Sequence, residues 1–81
     1  MSEFFAPAAG MVIRRLREER GLSQEVLSGL AGIARSHLSM IETNAKQPNF
    51  ETIWKIANAL DIPPHTLVEM IESESENTQK N

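Results

Sequence analysis

The chain has 81 residues, a formal charge of −3 and no cysteine. That length holds one domain and excludes a disulfide framework or a thiolate metal site. A core this small gains from a partner chain.

No apolar run approaches the ~18 residues that mark a membrane span. The start, MSEFFAPAAG, has neither the basic n-region nor the long apolar h-region of a secretory signal. A cytoplasmic location is therefore expected. Residues 1–60 carry seven Lys/Arg and six Asp/Glu, and residues 61–81 set Lys80 against Asp61, Glu69, Glu72, Glu74 and Glu76. The acidity thus belongs to the C-terminal end, and Arg14, Arg15, Arg17 and Arg20 cluster near the start of a nearly neutral body.

Five helices are expected. From Met11 to Arg20, Val12, Ile13 and Leu16 share one face and charged residues fill the rest, an amphipathic pattern closed by Gly21. Ser23 is suited to cap a second helix, in which Leu27, Leu30 and Ala31 fall at helical spacing. Gly32 interrupts and Ile33 re-enters the core. A third helix runs from about Ala34 to Thr43 with Leu38 and Ile41 inward, and Asn44 can take the left-handed conformation that ends it. Asn49 caps a fourth helix with Phe50, Ile53, Ile56, Ala57 and Leu60 on one stripe. Pro63-Pro64 opens a fifth, with Leu67, Val68, Met70 and Ile71. Residues 1–9 read as an N-terminal extension, 10–72 as the domain, and 73–81 as a polar, disordered tail. No strand pattern is present.

The segment QEVLSGLAGIARSHLSMIET has the requirements of two helices crossing steeply. Ser28 and Ala31 are small at the crossing, Gly32 tolerates the turn, and Leu27, Ile33, Leu38 and Ile41 lock the pair. GLSQEVLSGLAGIARSHLSMIET resembles the helix-turn-helix of the phage-repressor/Cro type, also called the xenobiotic-response-element family. VIRRLREERGLSQ and PNFETIWKIANALDIPPHTL are similar to the family's flanking helices, so the resemblance runs from Gly10 to Ile71. It implies an all-α, compact five-helix bundle of the lambda-repressor-like type. This sequence departs at Ser28, where Ala is common; at Ala34, where Ser or Thr often begins the recognition helix; and at Asn44, where Gly is commoner.

The resemblance also implies roles. The second helix of the motif enters the major groove, with its N-terminal residues at base edges. That gives Arg35, Ser36, Ser39 and Met40 as base contacts. Arg35 leads, because a guanidinium can bind guanine O6 and N7 together. Gln24, His37, Thr43, Asn44 and Lys46 are the expected phosphate contacts. Asn44 serves equally as a helix cap, Lys46 as a loop charge, and His37 as a packed imidazole. Gln24 can also brace the recognition helix. Arg17 and Glu42 match a family salt bridge, whereas Arg14 and Arg15 are freer to meet phosphates. Dimers of such domains read half-sites about 34 Å apart, and near-neutrality of the body makes a second copy valuable. Leu67 and Ile71 take the inward stripe of the fifth helix. Val68 and Met70 lie off that stripe, as Trp54 does on the fourth. Together these five mark the expected homodimer surface, with partial burial within one chain as the alternative. Phe4 and Phe5 pack over the bundle or onto a partner.

These features point to a sequence-specific transcriptional regulator that binds a palindromic operator as a homodimer. Length, the N-terminal extension and five helices resemble restriction–modification controller proteins, with a compact phage-type or chromosomal repressor as the other subtype. The alternative is an antitoxin that binds a toxin and autoregulates its operon. No nucleophile–base pair, phosphate loop or metal cluster supports an enzyme. Neither a cofactor nor a small-molecule ligand is expected.

Overall fold

The computed structural model describes residues 3–79, which form five helices: α1 (Ala8–Glu19), α2 (Gln24–Ala31), α3 (Arg35–Glu42), α4 (Phe50–Ala59) and α5 (Pro64–Gln79). Among the described residues there is no strand, and no helix is long and apolar enough to cross a membrane.

Local chemistry sets the helix ends. Ser23 Oγ accepts from Val26 N–H (3.1 Å) and Asn49 Oδ1 from Thr52 N–H (2.8 Å), so both caps fall where the sequence places them. Helices α1 to α4 then end in one way. A residue with positive φ follows each helix: Gly21, Gly32, Asn44 (φ 61°) and Asp61 (φ 59°). The amide after it reaches back five residues: Leu22 to Arg17, Ile33 to Ser28, Ala45 to Met40 and Ile62 to Ala57. This pairing satisfies carbonyls that the helix leaves open and turns the next residue inward. Leu22, Ile33 and Ile62 all pack against the core.

The core is Val12, Ile13 and Leu16 of α1, Leu27 and Ala31 of α2, Leu38 and Ile41 of α3, Ile53, Ile56 and Ala57 of α4, Leu60 just beyond it, and Leu67 of α5. Helix α1 begins at Ala8, earlier than the apolar pattern indicates, because its first turn buries the small residues Ala8, Ala9 and Gly10. Gly10 lies directly against the backbone of Ile41 and Glu42, where a Cβ would collide with the Ile41 carbonyl oxygen. Helices α1 and α3 therefore meet backbone to backbone at this point.

Four expectations require correction. Phe50 is 70% exposed, because Ile53, Ile56, Ala57 and Leu60 complete the inward stripe of α4 without it. Leu30 is 62% exposed; Leu27, Ser28 and Ala31 are the residues of α2 that turn inward. Leu67 is fully buried within its own chain, so it offers nothing to a dimer surface. The segment after residue 72 is not disordered through the described residues: α5 continues to Gln79. Ser75 of this extension is buried, and Phe5 is half-buried beside α5.

The extension is also tied to α1. Arg15 Nη1 donates to Glu74 Oε1 (2.7 Å), and the Thr78 hydroxyl donates to Glu74 Oε2 (3.1 Å). The Arg15 contact, then the Thr78 hydroxyl, holds the Glu74 carboxyl below its ordinary value of 4.5. A carboxyl depressed by folding stabilises the fold above its unfolded value, and that stabilisation is lost as pH falls through the folded one. Glu74→Gln should therefore melt below the wild type at neutral pH, with the two melting temperatures converging on acidification. At the α1–α3 contact, Gly10→Ala should lose about 1–3 kcal/mol of stability. Thermal melting should show this as a lower midpoint with a native-like helical signal.

Candidate nucleic-acid interface

Helix α3 carries its chemistry on a short, fully specified segment. Arg35 and Ser36 occupy its first turn and are exposed. Ser39 and Met40 lie one turn further along the same strip, Ser39 half-buried and Met40 39% exposed. Among the described residues no ion pair engages the Arg35 guanidinium. Ala34, at the N-cap, supplies no side-chain hydrogen bond, as its residue type leads one to expect. His37 is half-buried and lies off the exposed strip.

The opposite face of α3 is fixed from below. Glu42, its last residue, is a buried carboxylate that accepts three hydrogen bonds. Arg17 donates from Nε (2.7 Å) and Nη2 (2.9 Å), and Gln24 donates from Nε2 (3.0 Å). Arg17 Nη1 additionally donates to the Leu22 carbonyl (2.8 Å). The Glu42 hydrogen bond is the main cause of a raised Arg17 pKa. One arginine thus clamps the α1–α2 connection and the end of α3, and Gln24 brings in α2. The Arg17–Glu42 pair is present as the resemblance implies. Gln24 takes the bracing role, with one N–H of its amide on Glu42.

After α3 the expected phosphate contacts divide. Thr43 Oγ1 donates to the Ser39 carbonyl (2.9 Å), so its proton points back into its own helix. Asn44 combines two duties. Its backbone takes the left-handed turn, while its Oδ1 accepts from Gln47 Nε2 (2.8 Å), leaving the Nδ2 group as donor on an exposed side chain. Lys46 is exposed. Arg14 and Arg15 are not free cations: Arg14 pairs with Glu18 (3.3 Å) and Arg15 with Glu74.

On the far side, α4 and α5 border an apolar groove of about 370 Å³ lined by Phe50, Trp54, Pro64, His65 and Val68. Phe50 and Trp54 contact with ring centroids 6.0 Å apart. Trp54 and Val68 are exposed, as a second surface requires, whereas Met70 and Ile71 are half-buried against the core. Phe50 lies in this groove rather than on the buried stripe of α4 where its spacing would put it. Its position immediately after the capping Asn49, with a complete stripe beyond it, is the signal that could have found it.

Two short helices joined by a left-handed glycine turn, the second exposed along one strip and braced along the other, define a helix-turn-helix unit. Residues 13–67 match the helix-turn-helix family, and the chain belongs to it. It is 38% identical over 61 residues to the HTH-type transcriptional regulator SinR of Bacillus subtilis, across 74% of this chain and 55% of SinR. The chain spans about half of SinR's length and a smaller share of SutR of Escherichia coli. Among solved structures it is similar to the restriction-modification controller protein C.AhdI from Aeromonas hydrophila, with 40% identity and a TM-score of 0.71 over 74% of this chain and 91% of that one. The controller protein C.Esp1396I, solved as a tetramer with its natural 35 base-pair operator, superimposes with a TM-score of 0.78 at 27% identity, over 89% of this chain and 96% of that one.

The brace makes a stability prediction. Glu42→Ala leaves the Arg17 guanidinium partly buried without its carboxylate and should cost about 3–5 kcal/mol. Replacing both Arg17 and Glu42 with apolar residues should cost less than the two single changes added together. Urea unfolding of the three variants measures this.

Proposed function

We propose that this chain is a sequence-specific DNA-binding transcriptional regulator of the controller type, acting in the cytoplasm as a homodimer on a palindromic operator. One observation carries the reading: an exposed Arg35, with no ion pair among the described residues, on the first turn of a helix whose other face is locked by Glu42. A guanidinium so presented can meet guanine O6 and N7 bidentately. Ser36 and Ser39 add adaptable hydrogen bonds, and Met40 adds an apolar contact for a thymine methyl. Lys46, the Asn44 amide, His37 and the second N–H of Gln24 are the groups available to phosphates. Thr43 contributes less, since its hydroxyl proton is committed.

The homodimer would use the α4–α5 groove, with Trp54 and Val68 as anchors and Phe50 beside them; Met70 and Ile71 pack against the core of their own chain. Operator binding as a tetramer by C.Esp1396I supports assembly of more than one copy on DNA. The regulator names of the relatives favour this reading over a toxin-binding antitoxin, and over an enzyme.

Selection of bound duplexes from a random pool tests it. A recurrent palindrome is the expected product, and no enrichment would overturn the reading. Against the selected duplex, Arg35→Ala should lose about 1–3 kcal/mol and relax preference at one position per half-site. Lys46→Ala should instead weaken binding to all sequences and flatten the salt dependence. Fluorescence anisotropy over a salt series separates the two effects.

A further inference from the structure

Residues 3–7 join two elements that the proposed function uses differently. At one end, Ser75 of α5 grips this segment twice. Phe5 N–H donates to Ser75 Oγ (3.2 Å), and the Ser75 hydroxyl donates to the Glu3 carbonyl (3.2 Å). At the other end, Gln47 Nε2 donates to the Ala6 carbonyl (2.7 Å) and to Asn44 Oδ1 (2.8 Å). Both N–H groups of one side-chain amide are therefore engaged, one on the N-terminal segment and one on the loop after α3.

The contacts that Ser75 and Gln47 make to the N-terminal segment are not local. The partners are separated by 70, 72 and 41 residues along the chain. They order a segment that would otherwise fray, and the Gln47 contact ties it to the loop that carries Asn44 and Lys46. Asn44 is also the residue held with positive φ, a conformation disfavoured by a Cβ. Gln47 fixes its side-chain oxygen, and hence the direction in which its amide group can donate.

We propose that residues 3–7 are a positioning strap that, through Gln47, holds the loop after α3 in the geometry needed to grip the DNA backbone and, through Ser75, fastens that loop to α5. Gln47 is a positioning residue. It acts through Asn44 and the Ala6 carbonyl, with no contact to a base. The strap makes α5, which borders the proposed dimer groove, mechanically continuous with the loop.

The inference rests on the DNA-binding reading, and the test keeps the two apart. Gln47→Met keeps the side-chain length and removes both donors; Ser75→Ala frees the other end of the strap. All variants are made in the full chain and measured on the duplex that the wild type selects from a random pool. Gln47→Met should bind that duplex about three- to tenfold more weakly. Its melting temperature should be unchanged, and amide exchange at Ala45 and Lys46 should be faster. Ser75→Ala should weaken binding in the same direction, and the double variant should lose less than the product of the two single losses. The strap is overturned if Gln47→Met binds like the wild type, or if the two losses multiply. Arg35→Ala is the control. Loss of binding there with none in Gln47→Met overturns the strap alone. Wild-type binding by Arg35→Ala overturns the recognition reading, and the exchange rates at Ala45 and Lys46 still decide whether the strap holds the loop.

Discussion

Everything on the exposed side of α3 depends on one buried carboxylate. Taking Glu42 out of water is unfavourable by several kcal/mol unless its lone pairs are matched by donors. Three N–H groups meet them, two from Arg17 on α1 and one from Gln24 on α2. Each donor has a fixed direction, so the carboxylate sets the rotation and tilt of α3 relative to both helices. Gly10 completes the constraint: α1 approaches the backbone at Ile41 and Glu42 so closely that a side chain has no room. A recognition surface fixed in this way has little conformational freedom left to lose on binding, the general route by which preorganisation raises affinity.

The same economy governs charge. All three arginines in the body of α1 are matched with carboxylates: Arg14 with Glu18, Arg15 with Glu74 and Arg17 with Glu42. Arg15 and Arg17 tie α1 to α5 and to α3, whereas Arg14 pairs within α1 on an exposed face. Among the described residues, the Lys and Arg side chains outside ion pairs are Arg20, Arg35, Lys46 and Lys55. Arg35 and Lys46 thus lie on α3 and the loop after it, whereas Arg20 ends α1 and Lys55 sits on α4. The acid excess is carried mainly by α5, where Glu74 works as a structural anchor. A net charge of −3 is therefore compatible with DNA binding, provided recognition rests on fit and on more than one copy.

Much of this was legible in the sequence because local rules govern it. Ser23 and Asn49 cap as their side chains dictate, Gly32 turns the chain, and the i, i+3, i+4 spacing finds most of the core. Legibility failed where the deciding partner is distant. Phe50 fits the period of α4, but the stripe is already full, and periodicity alone cannot say which apolar residue is left out. Leu30 fails likewise on α2. The polar run after residue 72 has a disordered composition, yet it is helical because α1 and the N-terminal segment supply partners for Glu74 and Ser75. Asp61 gave no sign of its left-handed turn, which the Ile62 amide and the Ala57 carbonyl enforce. The Arg17–Glu42–Gln24 brace came from family resemblance, since no spacing rule connects residues 25 and 18 positions apart.

The dimensions connect the two surfaces. One copy measures 35 Å along its longest axis. On the proposed homodimer, half-sites one helical turn apart, about 34 Å, put the recognition helices roughly one molecule's length from each other. The groove between α4 and α5 would then control that distance, because α2 packs on α4, α1 packs on α5, and both hold α3. A small change in the seating of Trp54 or Phe50 would be carried rigidly to Arg35 and appear as a mismatch with half-site spacing. On the proposed homodimer, specificity would reside in two places: the side chains that touch bases, and the apolar contact that sets how far apart the two readers stand.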